Sequence, residues 1–561
     1  MTPSGLPLPA PALIGEFLQF VLPAGYAVPP DWPPDVFAVA AALLHKSGAY
    51  SYLLEGWPSE YQGENWAAFA SRIGQEWRQN LAGNISVAPA PVAEWWQILA
   101  GAAPVCEVQQ TRARPDLCEA LIRLCAVADE ACWGFGIPES EQLKQARANL
   151  NEDLSVTRTL ARKVRQILLR GDSSSVSSPS APGSTLCRQI HPSRLRVLPK
   201  LHIPQHGFNI RSLSRNLALC TADEIRPVWN LIARHPGDES MNLLLVPWPA
   251  EVRPSQFASV TEDRPSFGHG PGRYRFFTWK PDENPDAVPD IAAILAEAER
   301  VAGPVAGVVL PELSLTAGQY PRIWDALLAR DCFLICGLCG DKKNYVRFEL
   351  PLKGQDSYAR QQSKHHRWLL DQPQIVQYGL GSVLSPAKLW WEHIDIAERS
   401  LQFSVMRDWL TISVLICEDL ARPDPVGDVV RAVGPNLVIA LLMDGPQLAS
   451  RWPGRYATVL ADDPGCSVLS LTSIGMCRLS RPPHIKSASR VVALWKDARS
   501  GTPVEIELPQ GADAIVLSLT VEYLEEWTAD GRSDLCTTGY PTLAGIHPIT
   551  ARPRSAEVQK A

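Results

Sequence analysis

Three reactive side chains each stand where a run of β-forming residues stops. GVVLPELSLT puts Glu312 just past an apolar run. RQQSKHHRWLL puts Lys364 in a basic segment after the strand-like YVRFEL (345–350). LTISVLICEDL puts Cys417 at the end of a third run. In open α/β sheets chemistry collects at the carboxyl ends of strands, and the spacing leaves room for a βα excursion each time. A thiol, with a pKa of about 8.5, is mostly protonated at neutral pH and needs a neighbouring base or cation to become a good nucleophile. Taken singly, the three would be a small buried hydrophobe, a loop acid and a solvated charge. Taken together, at three strand ends, they are the candidate catalytic set.

The elements that must position them begin near residue 240. There, short apolar runs alternate with helical segments: MNLLLVPW (241–248), DIAAILAEAERVA (290–302), GVVLPEL (307–313), PRIWDALLAR (321–330), CFLICGL (332–338), LTISVLIC (410–417), NLVIALLM (436–443) and CSVLSLTS (466–473). The β-runs are consecutively apolar, which predicts strands buried on both faces in a layered α/β fold. VVALWKD (491–497), VEIEL (504–508) and AIVLSLT (514–520) read as a closing β-meander, and residues 531–561 as a polar C-terminal tail.

The three segments resemble the carbon–nitrogen hydrolase (nitrilase) superfamily, whose members carry Glu, Lys and Cys in that order. PELSLTAGQY is similar to the family's glutamate motif, SKHH to its lysine motif and VLICEDLARP to its cysteine motif. The resemblance spans residues 240–530. It implies an α-β-β-α sandwich, with two protomers packing their layers together in a homo-oligomer. It implies a small-molecule amide or nitrile substrate and no cofactor. Cys417 would be the nucleophile, Glu312 the general base and Lys364 the cation that favours thiolate and stabilises an oxyanion, with the backbone N–H of Glu418 as a second donor. One departure stands out. Many members carry a second glutamate in the loop after the lysine, and alignment puts Gly379 and Leu380 there. Asp371 and Gln377 are the nearest polar substitutes, which predicts a lysine or a substrate held less firmly. Asp419 is expected to anchor the turn rather than do chemistry.

Residues 1–170 read as an all-α domain, with helical spacing in 35–54, 65–83, 114–135 and 152–171. The last of these is amphipathic and basic. Seven of the 18 tryptophans fall in this region, including the pair Trp95 and Trp96, which cannot both point inward from one helix. Core packing is the expectation, and a partner-binding face the alternative. GDSSSVSSPSAPGST (171–185) is a flexible linker that opens a connecting segment running to 239. That segment carries Arg188, Arg194, Arg196, Lys200, Arg211 and Arg215 with no acid between Ser173 and Ala222. It is a candidate anion-binding stripe for phosphates or nucleic acid, or else a linker wrapping an acidic domain. Nitrilase-like domains of this arrangement resemble those found beside reverse transcriptases in bacterial antiviral systems, which suggests a scaffold role with a protein partner as the alternative to catalysis.

A net charge of −6 argues against general nucleic-acid affinity. Thirteen cysteines, an odd number in apolar contexts, predict reduced buried thiols and a cytoplasmic protein. No apolar stretch is long enough to span a membrane. Cys332, Cys336 and Cys339 have the spacing of an iron–sulfur motif, but Phe333, Leu334 and Ile335 make that segment a core strand. His365 and His366 lack ligand partners at metal spacing, so no metal is expected, and they read as substrate-loop or solvated histidines.

Overall fold

The computed structural model describes residues 12–139, 141–149, 153–169, 183–204, 207–222, 224–233, 237–260, 274–352, 357–396, 399–482 and 484–551. Two sheets face each other. The first runs, in spatial order, Ser357–Ser363, Lys343–Pro351, Phe333–Gly340, Gly307–Val309, Ser240–Leu245, Ala514–Leu524 and Thr538–Ile549. The second runs Val504–Glu507, Val491–Lys496, Ser467–Thr472, Leu437–Leu442, Leu410–Ile416, Ser400–Arg407 and Arg226–Leu231.

The apolar runs form strands because each has two apolar faces to cover. In Leu410–Ile416 the residues Ile412, Val414 and Ile416 enter the core between the sheets, while Leu415 turns to the outer layer. Leu437, Ile439 and Leu441 face inward beside them, and Val438 and Ala440 outward. The first sheet divides likewise: Leu243, Leu245, Ile335 and Leu517 inward, Leu244, Leu334 and Val516 outward. Helix Ile291–Ala302 covers the outer face of the first sheet through Ile294, Leu295 and Ala298. Helices Asp428–Val433 and Trp452–Asp462 cover the second through Val430, Val433 and Ala457. The layers are therefore helix, sheet, sheet, helix, the α-β-β-α sandwich expected from the sequence.

A helical N-terminal region, interrupted by the short antiparallel pair Glu60–Tyr61 and Glu64–Asn65, packs outside the second sheet's helices and shares their core. Its central helix, Pro33–Ser47, is apolar all round and buried from Val36 to Leu44. The continuous helical pattern at 35–54 breaks at Gly48, which takes φ 69° and ends the helix; a 3-10 segment, Ala49–Glu55, follows. Trp95 and Trp96 are both buried, which agrees with core packing and corrects the expectation that the two cannot both point inward. Helix Ala90–Ala102 is covered on two sides, so Trp95 Nε1 donates to Tyr61 Oη (3.3 Å) and Trp96 Nε1 to the Tyr26 carbonyl (2.9 Å).

The N-terminal region and the sandwich are bound together by buried charge as well as by apolar packing. Asp35 accepts hydrogen bonds from the backbone N–H groups of Arg188, Gln189 and Ile190. Arg532 lies buried among Asp129 (3.0 Å), Glu130 (2.8 Å) and Asp530 (2.8 Å), and Trp66 Nε1 donates to Asp530 (2.9 Å).

Three expectations change. The closing strands are not one meander: Val491–Lys496 and Val504–Glu507 extend the second sheet, and the chain then crosses to the first through Ala514–Leu524. The polar tail contains the strand Thr538–Ile549, antiparallel to Ala514–Leu524. Its Pro541 and Pro548 are tolerated because the strand lies at the sheet edge. The basic stripe is dispersed. Lys200 Nζ is buried against the carbonyl of Ser214, Arg211 grips Asp463 through two nitrogens at 2.8 Å, and Arg215 pairs with Glu130. Arg188 lies over Trp32, Arg194 over Phe20, and Arg196 donates to the Ala222 carbonyl. The serine-rich stretch from 171 to 182 falls outside the described residues.

Candidate active site

Glu312, Lys364 and Cys417 come together at one edge of the sandwich, all of them buried. Glu312 follows strand Gly307–Val309, Lys364 follows Ser357–Ser363 directly, and Cys417 follows Leu410–Ile416. The glutamate reaches the edge because Gly337 on the adjacent strand has no side chain: a Cβ there would lie 2.5 Å from Glu312 Cα and 2.5 Å from the Pro311 carbonyl.

Lys364 Nζ donates to Glu312 Oε1 at 2.8 Å and to Glu392 Oε2 at 2.7 Å. Asn344 Nδ2 bridges the same two carboxylates, at 2.7 Å to Glu312 and 2.8 Å to Glu392. The second oxygen of Glu312 accepts the backbone N–H of Met443 at 2.6 Å. Glu392 also accepts the backbone N–H of Trp368 at 3.1 Å. The lysine is thus clamped, which corrects the expectation of a loosely held one. The second carboxylate comes from neither Asp371 nor Gln377. Asp371 caps helix Gln372–Gln377 by accepting from the Gln374 N–H.

Glu392 ends the strand Leu389–Glu392, part of a separate four-stranded sheet with Leu369–Leu370, Tyr274–Trp279 and Phe257–Val260. This small sheet caps the site with apolar bulk, notably Phe277, Trp368 and Trp390. Beneath it is a cavity of about 30 Å³, lined by Leu313, Trp368, Glu392 and Met443 among others. That is room for about one water.

Cys417 takes φ 48°, a left-handed conformation that β-strand residues avoid. It begins the 3-10 turn Cys417–Ala421, and N–H groups at the start of such a turn have no partner within it. The Glu418 N–H has that position, and its carboxylate is paired outward with Arg422. Asp419 accepts from the backbone N–H groups of His365 and His366 and from His366 Nδ1, tying the Cys417 turn to the Lys364 loop. His365 is buried, its Nε2 against the Ser400 carbonyl, so neither histidine is a solvated loop residue.

The electrostatics follow from one ammonium among several acids in a dry site. Burial pushes Glu312 above the usual carboxylate range, Glu392 adds to this, and Lys364 opposes both. Burial pulls Lys364 down, but Glu312 and Glu392 outweigh it and hold the lysine well above its ordinary value. Burial pushes the Cys417 thiol well up, and Glu312 adds to it against Lys364. At rest the arrangement holds a protonated thiol beside a carboxylate poised closer to neutrality, the state from which proton transfer can accompany attack. Nearby, Asp444 accepts from Tyr378 Oη (2.6 Å) and Arg451 (2.9 Å), while its Oδ2 is buried without a partner.

Sequence reasoning missed Glu392 and Asn344. Neither stands at the end of one of the β-forming runs that marked the other three. Among the described residues, no group of three or more His, Cys, Asp and Glu is arranged to hold a metal ion, and no helix is long and apolar enough to cross a membrane.

No protein-family model matches the chain, and no curated protein does. Among solved structures it is similar over half its length to Saccharomyces cerevisiae Nit3, a member of branch 10 of the nitrilase superfamily, at 14% identity over 90% of that chain with a TM-score of 0.30. It is similar to XC1258 from Xanthomonas campestris, a CN-hydrolase superfamily protein, at 15% identity over 91% of that chain with a TM-score of 0.29. A glutamine-dependent NAD(+) synthetase from Cytophaga hutchinsonii is matched at 12% identity over 42% of its chain, TM-score 0.26.

Proposed function

We propose that the protein is a thiol hydrolase of the nitrilase type that cleaves a non-peptide carbon–nitrogen bond, an amide first of all. The observation that carries this reading is Lys364 Nζ held between Glu312 and Glu392 at the strand edge where Cys417 sits with φ 48°. Cys417 Sγ attacks the amide carbon as its proton passes to Glu312. Lys364 and the Glu418 N–H bear the negative charge on the oxygen. Glu312 returns the proton to the nitrogen, the C–N bond breaks, and a thioester remains. Glu312 then takes a proton from water, whose oxygen attacks the thioester. The acid leaves and the thiol is restored.

The test is alkylation of the intact protein with iodoacetamide, mapped by mass spectrometry. Cys536 is exposed and reacts on access alone, so the work is done on a Cys536→Ser background. Cys417 is expected to label faster than the other buried cysteines, and Glu312→Gln and Lys364→Ala to remove that advantage. Equal labelling of Cys417 and its buried neighbours defeats the proposal. It would favour the second reading, a scaffold in a larger assembly, for which the small volume beneath the capping sheet, about 30 Å³, speaks.

A further inference from the structure

The basic helix singled out at the end of the N-terminal half plays no part in the chemistry above. In the structure it is Leu154–Leu169, and Leu160, Val164 and Leu168 bury its apolar stripe. A neighbouring stripe carries Arg158, Arg162 and Arg165. All three line a cavity of about 240 Å³ between this helix, the turn after helix Pro115–Glu130 and the end of strand Arg226–Leu231. Like charges three and four residues apart on one helix face repel, so this spacing opposes the helix unless something neutralises it.

Among the described residues, nothing supplies that neutralisation. Among the lining residues described, Glu139 is the one carboxylate, and it is paired with Arg147 at 3.0 Å. Arg78 and Arg147 also line the cavity. Their guanidiniums donate to the carbonyls of Glu130 and Trp133 respectively, and both lie over the Trp133 ring. Arg162 has a 3.4 Å contact with Thr159 Oγ1. Arg158 and Arg165 have no partner among the described residues. A second observation points the same way: Thr157 Oγ1 lines the cavity, is shielded from solvent and makes no hydrogen bond. A buried hydroxyl without a partner is costly unless a ligand satisfies it. The floor is apolar, formed by Phe135, Leu143, Leu160 and Leu231.

We propose that this cavity is a binding site for a small organic anion, a phosphate monoester carrying a flat apolar body. Guanidinium forks match the oxygens of a phosphate, and several of them suit a dianion better than a carboxylate. The apolar floor and the volume exceed what inorganic phosphate needs. The site is separate from the cysteine centre, so it does not depend on the hydrolase reading.

The experiment is calorimetric titration of the full chain at low salt with 1-naphthyl phosphate, 1-naphthoate, 1-naphthol and inorganic phosphate. The phosphate ester is expected to bind one to one with a Kd below about 1 mM, and the carboxylate about tenfold more weakly. The variant Arg158→Ala/Arg165→Ala changes two exposed side chains, leaves the apolar stripe intact, and should lose about tenfold or more. Cys417→Ala should bind as the parent does. Absence of binding overturns the proposal. So does binding that survives the double variant, naphthol binding as tightly as its phosphate ester, or inorganic phosphate binding as tightly as the ester.

Discussion

The carboxylate of Asp419 accepts the backbone N–H of His366 at 2.9 Å, so the turn that begins at Cys417 also fixes the loop that begins at Lys364. It takes the N–H of His365 at 3.1 Å as well. Neither bond involves Cys417 Sγ or Lys364 Nζ, but both set how the segments carrying them lie relative to each other.

Asp419→Ala should therefore act on stability and on reactivity together. It removes several hydrogen bonds to a buried charge, each worth about 1.5–3 kcal/mol. A loss of about 3–5 kcal/mol is expected in denaturant melts. Cys417 alkylation should fall in molecules that remain folded. Asp419→Asn, which keeps one acceptor oxygen, should lose less of both. If the alanine variant labels at Cys417 as the parent does, the two loops do not depend on this carboxylate.

Glu392→Gln changes the charge count without changing the shape. Glu392 helps to raise Glu312, so its neutralisation lets Glu312 ionise at lower pH. The acid limb of the Cys417 alkylation profile should move down in pH. An upward move, or none, would mean that Glu312 does not govern the thiol's proton.

Gly337→Ala tests the approach that admits the glutamate. The added Cβ meets backbone atoms rather than a flexible chain end, so the Glu312 segment must shift. Overpacking of this kind costs about 1–3 kcal/mol, and a displacement of about 1 Å at the base can cost about a hundredfold in rate. The variant should fold, as judged by its circular dichroism, and lose the enhanced reactivity of Cys417. Parent-like labelling would place the base elsewhere.

The pH dependence of stability should carry a mark from Asp35, far from the site. Burial raises its pKa from 3.8 to about 6, against the hydrogen bonds from residues 188–190. Between those values the folded chain holds a proton that the unfolded chain has lost. Stability must then fall as pH rises across that window, by about 3 kcal/mol for two pH units. Relative to the parent, Asp35→Asn should gain about that much between pH 4 and pH 7 in urea melts. A constant difference between the two would remove the assignment.

The residues most legible in the sequence were those whose chemistry contrasts with the run they end. Glu312, Lys364 and Cys417 each interrupt apolar or extended sequence, and the layers follow from runs apolar on both faces. Glu392 was hidden because its position depends on Leu389–Glu392 pairing with Tyr274–Trp279, more than a hundred residues earlier. No local pattern encodes a pairing of that range. The last strand was hidden for another reason. Gly539, Pro541, Gly545 and Pro548 mark loops in most sequences, and only its place at the sheet edge makes them admissible. The pair Trp95 and Trp96 misled because one-sided burial was assumed for a helix that is covered on two.

The buried Arg532 has a bearing on how the chain is made. The ribosome delivers the helices first, yet their shared core includes Val429, Val430 and Leu460, and their acidic residues Asp129 and Glu130 wait for a guanidinium some four hundred positions downstream. Until that residue emerges, the nascent helical region carries an open apolar flank, and Asp129 and Glu130 have only Arg215 and its neighbours in place of their full set of buried partners. Such species recruit chaperones or aggregate, so expression of this protein should depend on chaperone supply more steeply than its finished stability suggests.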